Sequence, residues 1–377
     1  MKATAFLFSA LIFTSAVIHA DDAPWHFVVA GDSRNCGDVV MPAIAARAKA
    51  EAASFYWHLG DFRAIYRFDE DMAQEAALAQ KPLDIGSYLR TVWGDAIRNQ
   101  VAPFGEIPVY VAIGNHETIS PKSRPEFIAQ FADWLNQPSI QQQRLLDDKD
   151  DHLVKTYYHW IVRGVDFITL DNGSADMFDD AQVSWFEKVL ASDARNGAIK
   201  AVVVGMHAAL PHGLACDHSM SDSAQGDRSG SRVYTDLLRF RDSAKKAVYV
   251  LASHSHFVID GIFDSDYWRA NGGVLPGWII GTSGAIRYRL PDTASRAKLA
   301  RTDVYGYLLA TVNPPGAPEA IAFEFRPLDR ADVPAPVVSR YTSAFVDQCF
   351  QENRDMRAPK PVTCADATPC SPAPPRP

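Results

Sequence analysis

Short apolar runs alternate with segments of helical periodicity along most of the chain, a pattern that points to α/β architecture. The runs predict strands over residues 26–31, 54–59, 108–113, 157–162, 165–170, 199–205, 247–252, 277–281, 305–312 and 320–325. Between the first two, DVVMPAIAARAKAEAA reads as a helix capped by Asp38, with Pro42 tolerable only near its start. DDAQVSWFEKVLAS offers Asp179 or Asp180 as a cap and puts Val183, Phe186, Val189 and Leu190 on one face. SRVYTDLLRFRDS repeats the scheme with Val233, Leu237, Leu238 and Phe240. YYHWIVRGVDFITLDN reads as two strands about a tight Arg163-Gly164 turn, and YGYLLATVN with AIAFEFRP flanks PPGAPE as a second hairpin. The fold class that follows is α/β, with two mixed β-sheets packed as a sandwich flanked by helices.

The chain has 377 residues, 47% of them hydrophobic, ample for one large core or two modest ones. Net charge is −8 with acids and bases interspersed, so no basic footprint for nucleic acid is present. Residues 1–20 read as a signal peptide: Lys2, an apolar stretch, and Ala20 before Asp21-Asp22. Ile18 stands where a small residue is usual, and an uncleaved anchor is the alternative. The apolar run falls short of the roughly 20 residues of a spanning helix. The mature protein is therefore expected to be exported, periplasmic or secreted. One domain is expected over 21–330, with a polar, partly helical insertion at 62–106. Residues 331–377 form a proline-rich extension, partly disordered, with one helix near 339–352.

Five cysteines, Cys36, Cys216, Cys349, Cys364 and Cys370, allow disulfides in an exported protein, with at least one left unpaired within the chain. Bridges from Cys364 to Cys370, from Cys349 to either of them, or from Cys36 to Cys216 are all open. No zinc knuckle, P-loop or G-x-S-x-G elbow is present. Asn172-Gly173-Ser174 fits either a sugar-attachment site or the turn that ends a strand.

Five predicted strands end on groups of similar chemistry. VVAGD ends on Asp32, FYWHLGD on Asp61, and VYVAIGNHE on Asn115, His116 and Glu117. AVVVGMH ends on His207, and VYVLASHSH on His254 and His256. Any single match is most simply a turn, a helix cap or a satisfied histidine. Together, at the carboxyl ends of α/β strands, they form a mixed oxygen and nitrogen ligand set suited to a divalent or trivalent metal.

In these motifs the chain resembles the calcineurin-like metallophosphoesterases, over roughly residues 25 to 327. GDSR (31–34), GD (60–61), GNHE (114–117), GMH (205–207) and SHSH (253–256) carry the resemblance. It implies the four-layer metallophosphoesterase fold and two metal ions (Fe, Mn, Zn or Co), or only one. Asp61 would bridge them, Asn115, His207 and His254 would complete the second site, and Asp32 and His256 would bind the first. His116, oriented by Glu117, would contact the phosphoryl group and protonate the leaving oxygen. A metal-held hydroxide would attack phosphorus in line.

Position 34 departs from this pattern, with arginine where the family commonly carries a metal-binding histidine. A guanidinium stays protonated and offers no lone pair to a cation. Three readings are open. Arg34 binds substrate phosphate in a bidentate fork; it leaves the first metal site weak or filled by another ligand such as Cys36; or it is a salt-bridge partner beside a degraded site. The tyrosine that purple acid phosphatases place after the second aspartate has no counterpart, since Ala64 stands there and Tyr66 lies two residues further on. Ser253 replaces the glycine before His254, and His212 and His218 lie in a polar loop that is either a substrate rim or merely solvated.

The sequence thus predicts an exported metal-dependent phosphoesterase. It would act on a small phosphorylated substrate, a monoester foremost with diesters within reach, bound by Arg34, Asn115 and His116. The alternative is a catalytically silent member that binds a phosphorylated ligand or partner in the same cleft.

Overall fold

The structure is a computed structural model that describes residues 23–215 and 218–351. The candidate signal peptide, Cys216, Cys364 and Cys370 lie outside the described residues. Twelve strands build two sheets: β1 (Trp25–Ala30), β2 (Tyr56–His58), β3 (Val109–Val111), β4 (Tyr158–Val162), β5 (Val165–Thr169), β6 (Ala201–Gly205), β7 (Ala247–Ala252), β8 (Val258–Asp260), β9 (Gly277–Ile280), β10 (Leu299–Arg301), β11 (Tyr305–Val312) and β12 (Ile321–Leu328). The first sheet runs β12-β11-β1-β2-β3 and the second β10-β8-β9-β7-β6-β5-β4. In the first, β1, β2 and β3 are parallel, β11 pairs antiparallel with β1, and β12 antiparallel with β11. In the second, β5, β6, β7 and β9 are parallel, β4 and β8 run antiparallel on either side of them, and β10 pairs antiparallel with β8 at the edge.

Alternation along the strands explains the layers. Phe27, Phe55 and Trp57 project from the first sheet onto Trp160 and Phe167 of the second. The Phe27 and Phe167 rings are 5.1 Å apart edge to face, and Tyr110 stacks on Trp160 at 3.8 Å. Such pairs add directional attraction to the burial of large apolar area. On its other face the second sheet buries Ile168, Val202, Val204, Val250 and Ile279 beneath helices Asp180–Arg195 and Ala224–Ala244. Val183, Phe186, Val189 and Leu190 of the former form the buried face that periodicity predicts. Asp179 caps that helix by accepting a bond of 2.8 Å from the Gln182 amide.

The ten predicted strands all form, and the Arg163-Gly164 turn has both residues at positive φ, 45° and 79°, as a tight hairpin of this twist requires. β8 and β10 escaped prediction because neither lies in an apolar run of its own; pairing with β9 and with each other makes them strands. Asp38 does not cap the first helix, Gly37–Ala50, whose cap residue Cys36 makes no side-chain bond. Asp38 is instead buried against Arg63, which also meets Asp71 and Asp95, at 2.6, 2.9 and 2.6 Å respectively. The segment 62–106 carries helices Glu70–Leu78 and Ile85–Ala96. Near the C-terminus two helices form, Ala335–Tyr341 and Ser343–Gln351, parted by Thr342 at φ 73°.

Cys36 and Cys349 form a disulfide with Cα atoms 6.0 Å apart. This overturns the bridge from Cys36 to Cys216, those from Cys349 to Cys364 or Cys370, and Cys36 as a metal ligand. Asn172 is fully buried, giving its amide to the Ala208 carbonyl at 2.7 Å and accepting the Ala208 amide at 3.0 Å. That settles it as a structural turn, since a sugar needs an exposed amide.

Two predictions concern stability. The bridge spans 313 residues of sequence, so Cys349→Ser should lower unfolding free energy by about 2–4 kcal/mol; a urea midpoint equal to the parent's under oxidising conditions would refute this. On β4, buried His159 lies between Asp166 at 2.7 Å and Asp147 at 2.5 Å. Although burial opposes its charge, these carboxylates raise it from 6.5 to about 10. Because the folded value exceeds the unfolded one, its stabilisation is complete below about pH 6.5 and is lost as pH rises through about 10. Buried Asp193, raised to about 9 by desolvation and then by Asp166, titrates in the same direction. Urea midpoints measured from pH 6 to 10 should fall, and less steeply in His159→Gln.

Candidate metal centre

The carboxyl ends of β1, β2, β3, β6 and β7 meet at one edge of the sandwich. There the chain turns sharply: Asp32, Asp61 and His254 have φ of 60°, 63° and 64°. These left-handed conformations are uncommon outside glycine and are held where surrounding structure over-determines them. The motif glycines allow the loops to touch. A Cβ on Gly114 would come within 2.2 Å of Asp61 Oδ1, and one on Gly60 within 2.6 Å of the Gly114 amide nitrogen.

Asp61 is the centre of the group and has no exposure to water. Its Oδ1 accepts the His116 backbone N–H at 3.0 Å and lies 3.3 Å from His207 Nε2. Its Oδ2 lies 3.6 Å from His116 Nε2 and 4.0 Å from Arg34 Nε, with no hydrogen-bond donor among the described residues. Asp32 Oδ2 accepts the His254 N–H at 2.6 Å and the Ser253 hydroxyl, while Oδ1 faces His256 Nε2 at 3.2 Å. Ser253, which on sequence only replaces a turn glycine, thus orients the Asp32 carboxylate. Burial opposes ionisation of both acids, yet His256 lowers Asp32, and His116 and His207 hold Asp61 well below the ordinary range.

Three histidines share one device. His116, His207 and His256 each direct Nδ1 at a backbone carbonyl: Ala64 at 2.7 Å, Leu59 at 2.9 Å, and Ile286. A proton committed at Nδ1 leaves the Nε2 lone pair pointing into the site, the usual way a protein presents imidazole to a metal. His207 Nε2 also lies 3.0 Å from Asn115 Oδ1. His207 Nε2, Asn115 Oδ1 and Asp61 Oδ1 converge, a grouping that a proton on the imidazole or a bound cation satisfies. Against the effect of burial, Asp61 raises His207 to about 10, the sign of a field that attracts a proton or a metal. His254 is buried with neither ring nitrogen hydrogen-bonded among the described residues, and burial followed by the His207 charge keeps it neutral. Asp61, His207 and His254 can offer ligand atoms all within 4.8 Å of one another. These residues fit a metal ion, with Asn115 beside them.

On the other side of Asp61 stands Arg34, 6% exposed. Its Nη2 is 2.8 Å from His256 Nε2 and donates to the Tyr288 hydroxyl at 3.2 Å, while Nη1 meets His116 Nε2. Burial opposes the guanidinium charge, but Tyr288 and Asp61 keep it firmly protonated. Burial, then Arg34, lowers His116 to about 3, so its ring is neutral at pH 7 where sequence reasoning implied a charged general acid.

Glu117 does not orient His116. Its carboxylate accepts the backbone N–H groups of Asp61, Phe62 and Gly114 at 2.9, 2.9 and 2.7 Å, clamping the two motif loops together. Ala64 orients the ring instead. Burial, then Asp61, raises Glu117 to about 7.

Of the two loop histidines, His218 comes to the site, its ring 5.2 Å from that of His254 and 4.8 Å from that of Tyr288. His212 stacks on Tyr267 and pairs with Asp227 at 2.8 Å. Tyr66 is 58% exposed, with its ring 5.4 Å from His116. Tyr288, stacked on His256 at 3.9 Å, was missed because IRYRL carries no motif.

If the unpartnered His254 nitrogens serve a cation, His254→Ala should weaken metal binding at least 10-fold with little loss of stability. Equilibrium dialysis with Mn(II) or Zn(II) checks this, and unchanged affinity would refute it.

The comparisons agree with this architecture. A purple acid phosphatase from yellow lupin (Lupinus luteus) seeds superposes with a TM-score of 0.52 at 14% identity, over 81% of this chain and 52% of that one. The chain therefore spans about half the length of that relative. A dimetal phosphatase from Danio rerio superposes with a TM-score of 0.50 at 12% identity, over 80% of this chain and 96% of that one. At these identities the likeness is one of fold. A search of curated proteins found no match. Residues 26–258 match the calcineurin-like phosphoesterase family, and the chain belongs to it.

Proposed function

We propose that the protein is an exported metal-dependent phosphoesterase that hydrolyses small phosphomonoesters, with diesters within reach. The observation that carries this reading is the buried cluster of Asp61, His207 and His254, in which neither His254 nitrogen has a hydrogen-bond partner among the described residues, with Arg34 and His116 beside Asp61. A metal bound there acidifies water and neutralises phosphoryl charge. The disulfide Cys36–Cys349 supports an oxidising compartment.

The chain's own groups have separable tasks. Asp61 and Asp32 hold positive charge at the cleft floor, and Asn115 offers an oxygen at its edge. Arg34 presents a planar fork that matches two phosphoryl oxygens. A phosphoryl dianion engaging this fork loosens its hold on His116 and adds negative charge beside the ring. Both changes raise the imidazole pKa, so substrate arrival itself prepares His116 to take a proton and pass it to the leaving oxygen. Tyr66 and His218 stand where the remainder of a small substrate would lie.

Hydrolysis of a chromogenic phosphate ester, with Mn, Fe, Zn or Co added, is the test. His116→Ala and Asp61→Ala should each lower kcat/KM by at least about 100-fold. No turnover with any metal, or turnover untouched by both substitutions, would overturn the enzyme reading. Phosphate-ester binding without turnover would favour the silent alternative.

A further inference from the structure

We infer that the Arg34 guanidinium is a permanent replacement for one metal ion, so that the protein holds a single metal, at Asp61, His207 and His254. The inference rests on the phosphoesterase reading and assigns its cation inventory.

The two halves of the site differ in what their lone pairs meet. On the His254 side, both nitrogens of a buried imidazole have no hydrogen-bond partner among the described residues. On the His256 side the imidazole is met by Arg34, while Asp32 Oδ1 and Asp61 Oδ2 keep no hydrogen-bond donor among the described residues. With Nδ1 of His256 turned to the Ile286 carbonyl, its Nε2 lone pair lies 3.2 Å from the Asp32 carboxylate, an arrangement that requires a cation. Arg34 supplies it, with Nη2 2.8 Å from that nitrogen. The same guanidinium reaches His116 through Nη1 and approaches Asp61 Oδ2 to 4.0 Å through Nε. One planar cation therefore bonds His256 and approaches Asp61, two of the three groups that would hold a first metal, and meets His116 beside them. Because it cannot lose its proton, it repels an ion from the same space at any pH the protein survives.

Nor is Arg34 a free arm that an ion could push aside. Tyr288 holds Nη2. The flanking backbone is fixed on both sides: the Ser33 N–H bonds to the Asp61 carbonyl at 2.9 Å, and the Asn35 N–H to Asp69 at 2.8 Å. Two residues on, Cys36 is tied to Cys349. Unlike a metal, the guanidinium has a fixed fork for phosphoryl oxygens, so the substitution exchanges an ion for a phosphate receptor.

The test is metal stoichiometry on the whole protein, saturated with Mn(II), desalted and measured by elemental analysis together with electron paramagnetic resonance. Wild type should retain one ion per chain with the spectrum of isolated Mn(II). Arg34→His should retain two, with the spectrum of a spin-coupled pair. Arg34→Ala should bind inorganic phosphate roughly 10- to 100-fold more weakly in the metal-loaded form. Two ions in wild type would overturn this inference alone and leave the phosphoesterase reading intact. So would one ion in an Arg34→His protein that melts like its parent. No ion in any of them would overturn the metal centre itself. The wild-type count and spectrum decide the matter even if Arg34→His fails to fold.

Discussion

Two carboxylates, Asp32 and Asp61, lie at the carboxyl ends of the first two strands with no exposure to water. Two anions so placed are tolerable only if the surroundings supply positive charge and hydrogen-bond donors. Most of the local structure answers that demand. Backbone N–H groups of His116 and His254 point at the acids, Ser253 adds a hydroxyl, and Arg34 and His207 bring charge. The three Nδ1-to-carbonyl bonds then decide which face of each histidine meets the anions. A site arranged to attract cations is in the same act arranged to receive a phosphoryl group once a cation is in place.

Support for this arrangement reaches deep into the fold. Glu117 joins the loops after β2 and β3 by accepting three backbone donors, so the GD and GN turns keep their spacing. Arg63, two residues beyond Asp61, is fully buried among Asp38, Asp71 and Asp95. Asp38 in turn accepts the Tyr341 hydroxyl at 2.9 Å. Through this hub and the Cys36–Cys349 bridge, the first helix, the 62–106 segment and the C-terminal helices form one scaffold behind Arg34. Breaking a buried ion cluster of this kind leaves uncompensated charge, which makes the scaffold stiff.

The family, the two mixed sheets and the strand ends that carry Asp32, Asp61, Asn115, His207, His254 and His256 were legible in the sequence. Strand-end motifs are local: a glycine, an acid or a histidine at a fixed offset from an apolar run survives any rearrangement of the rest. The helix of residues 180–195 was equally legible, because an amphipathic face and a cap residue are both written within one short stretch. What periodicity could not show was β8 and β10, neither of which lies in an apolar run of its own, and Tyr288, brought to the site by a loop with no motif. The role of Glu117 also escaped, since its partners are backbone amides and every residue but proline has one.

Sequence by itself therefore determined which atoms are available: two acids, an amide, four histidines and one arginine at the ends of core strands. Tertiary structure decided which of their lone pairs are already met. His254 and His256 are two residues apart and alike in sequence, yet the nitrogens of one have no hydrogen-bond partner among the described residues while the other is held between Ile286 and Arg34. Cys36 reads as a ligand or a disulfide half with equal ease until Cys349, 313 residues away, is brought beside it. The physical reason is common to both cases. Lone-pair satisfaction and charge balance are properties of a volume, and the contributors to that volume come from strands distant along the chain.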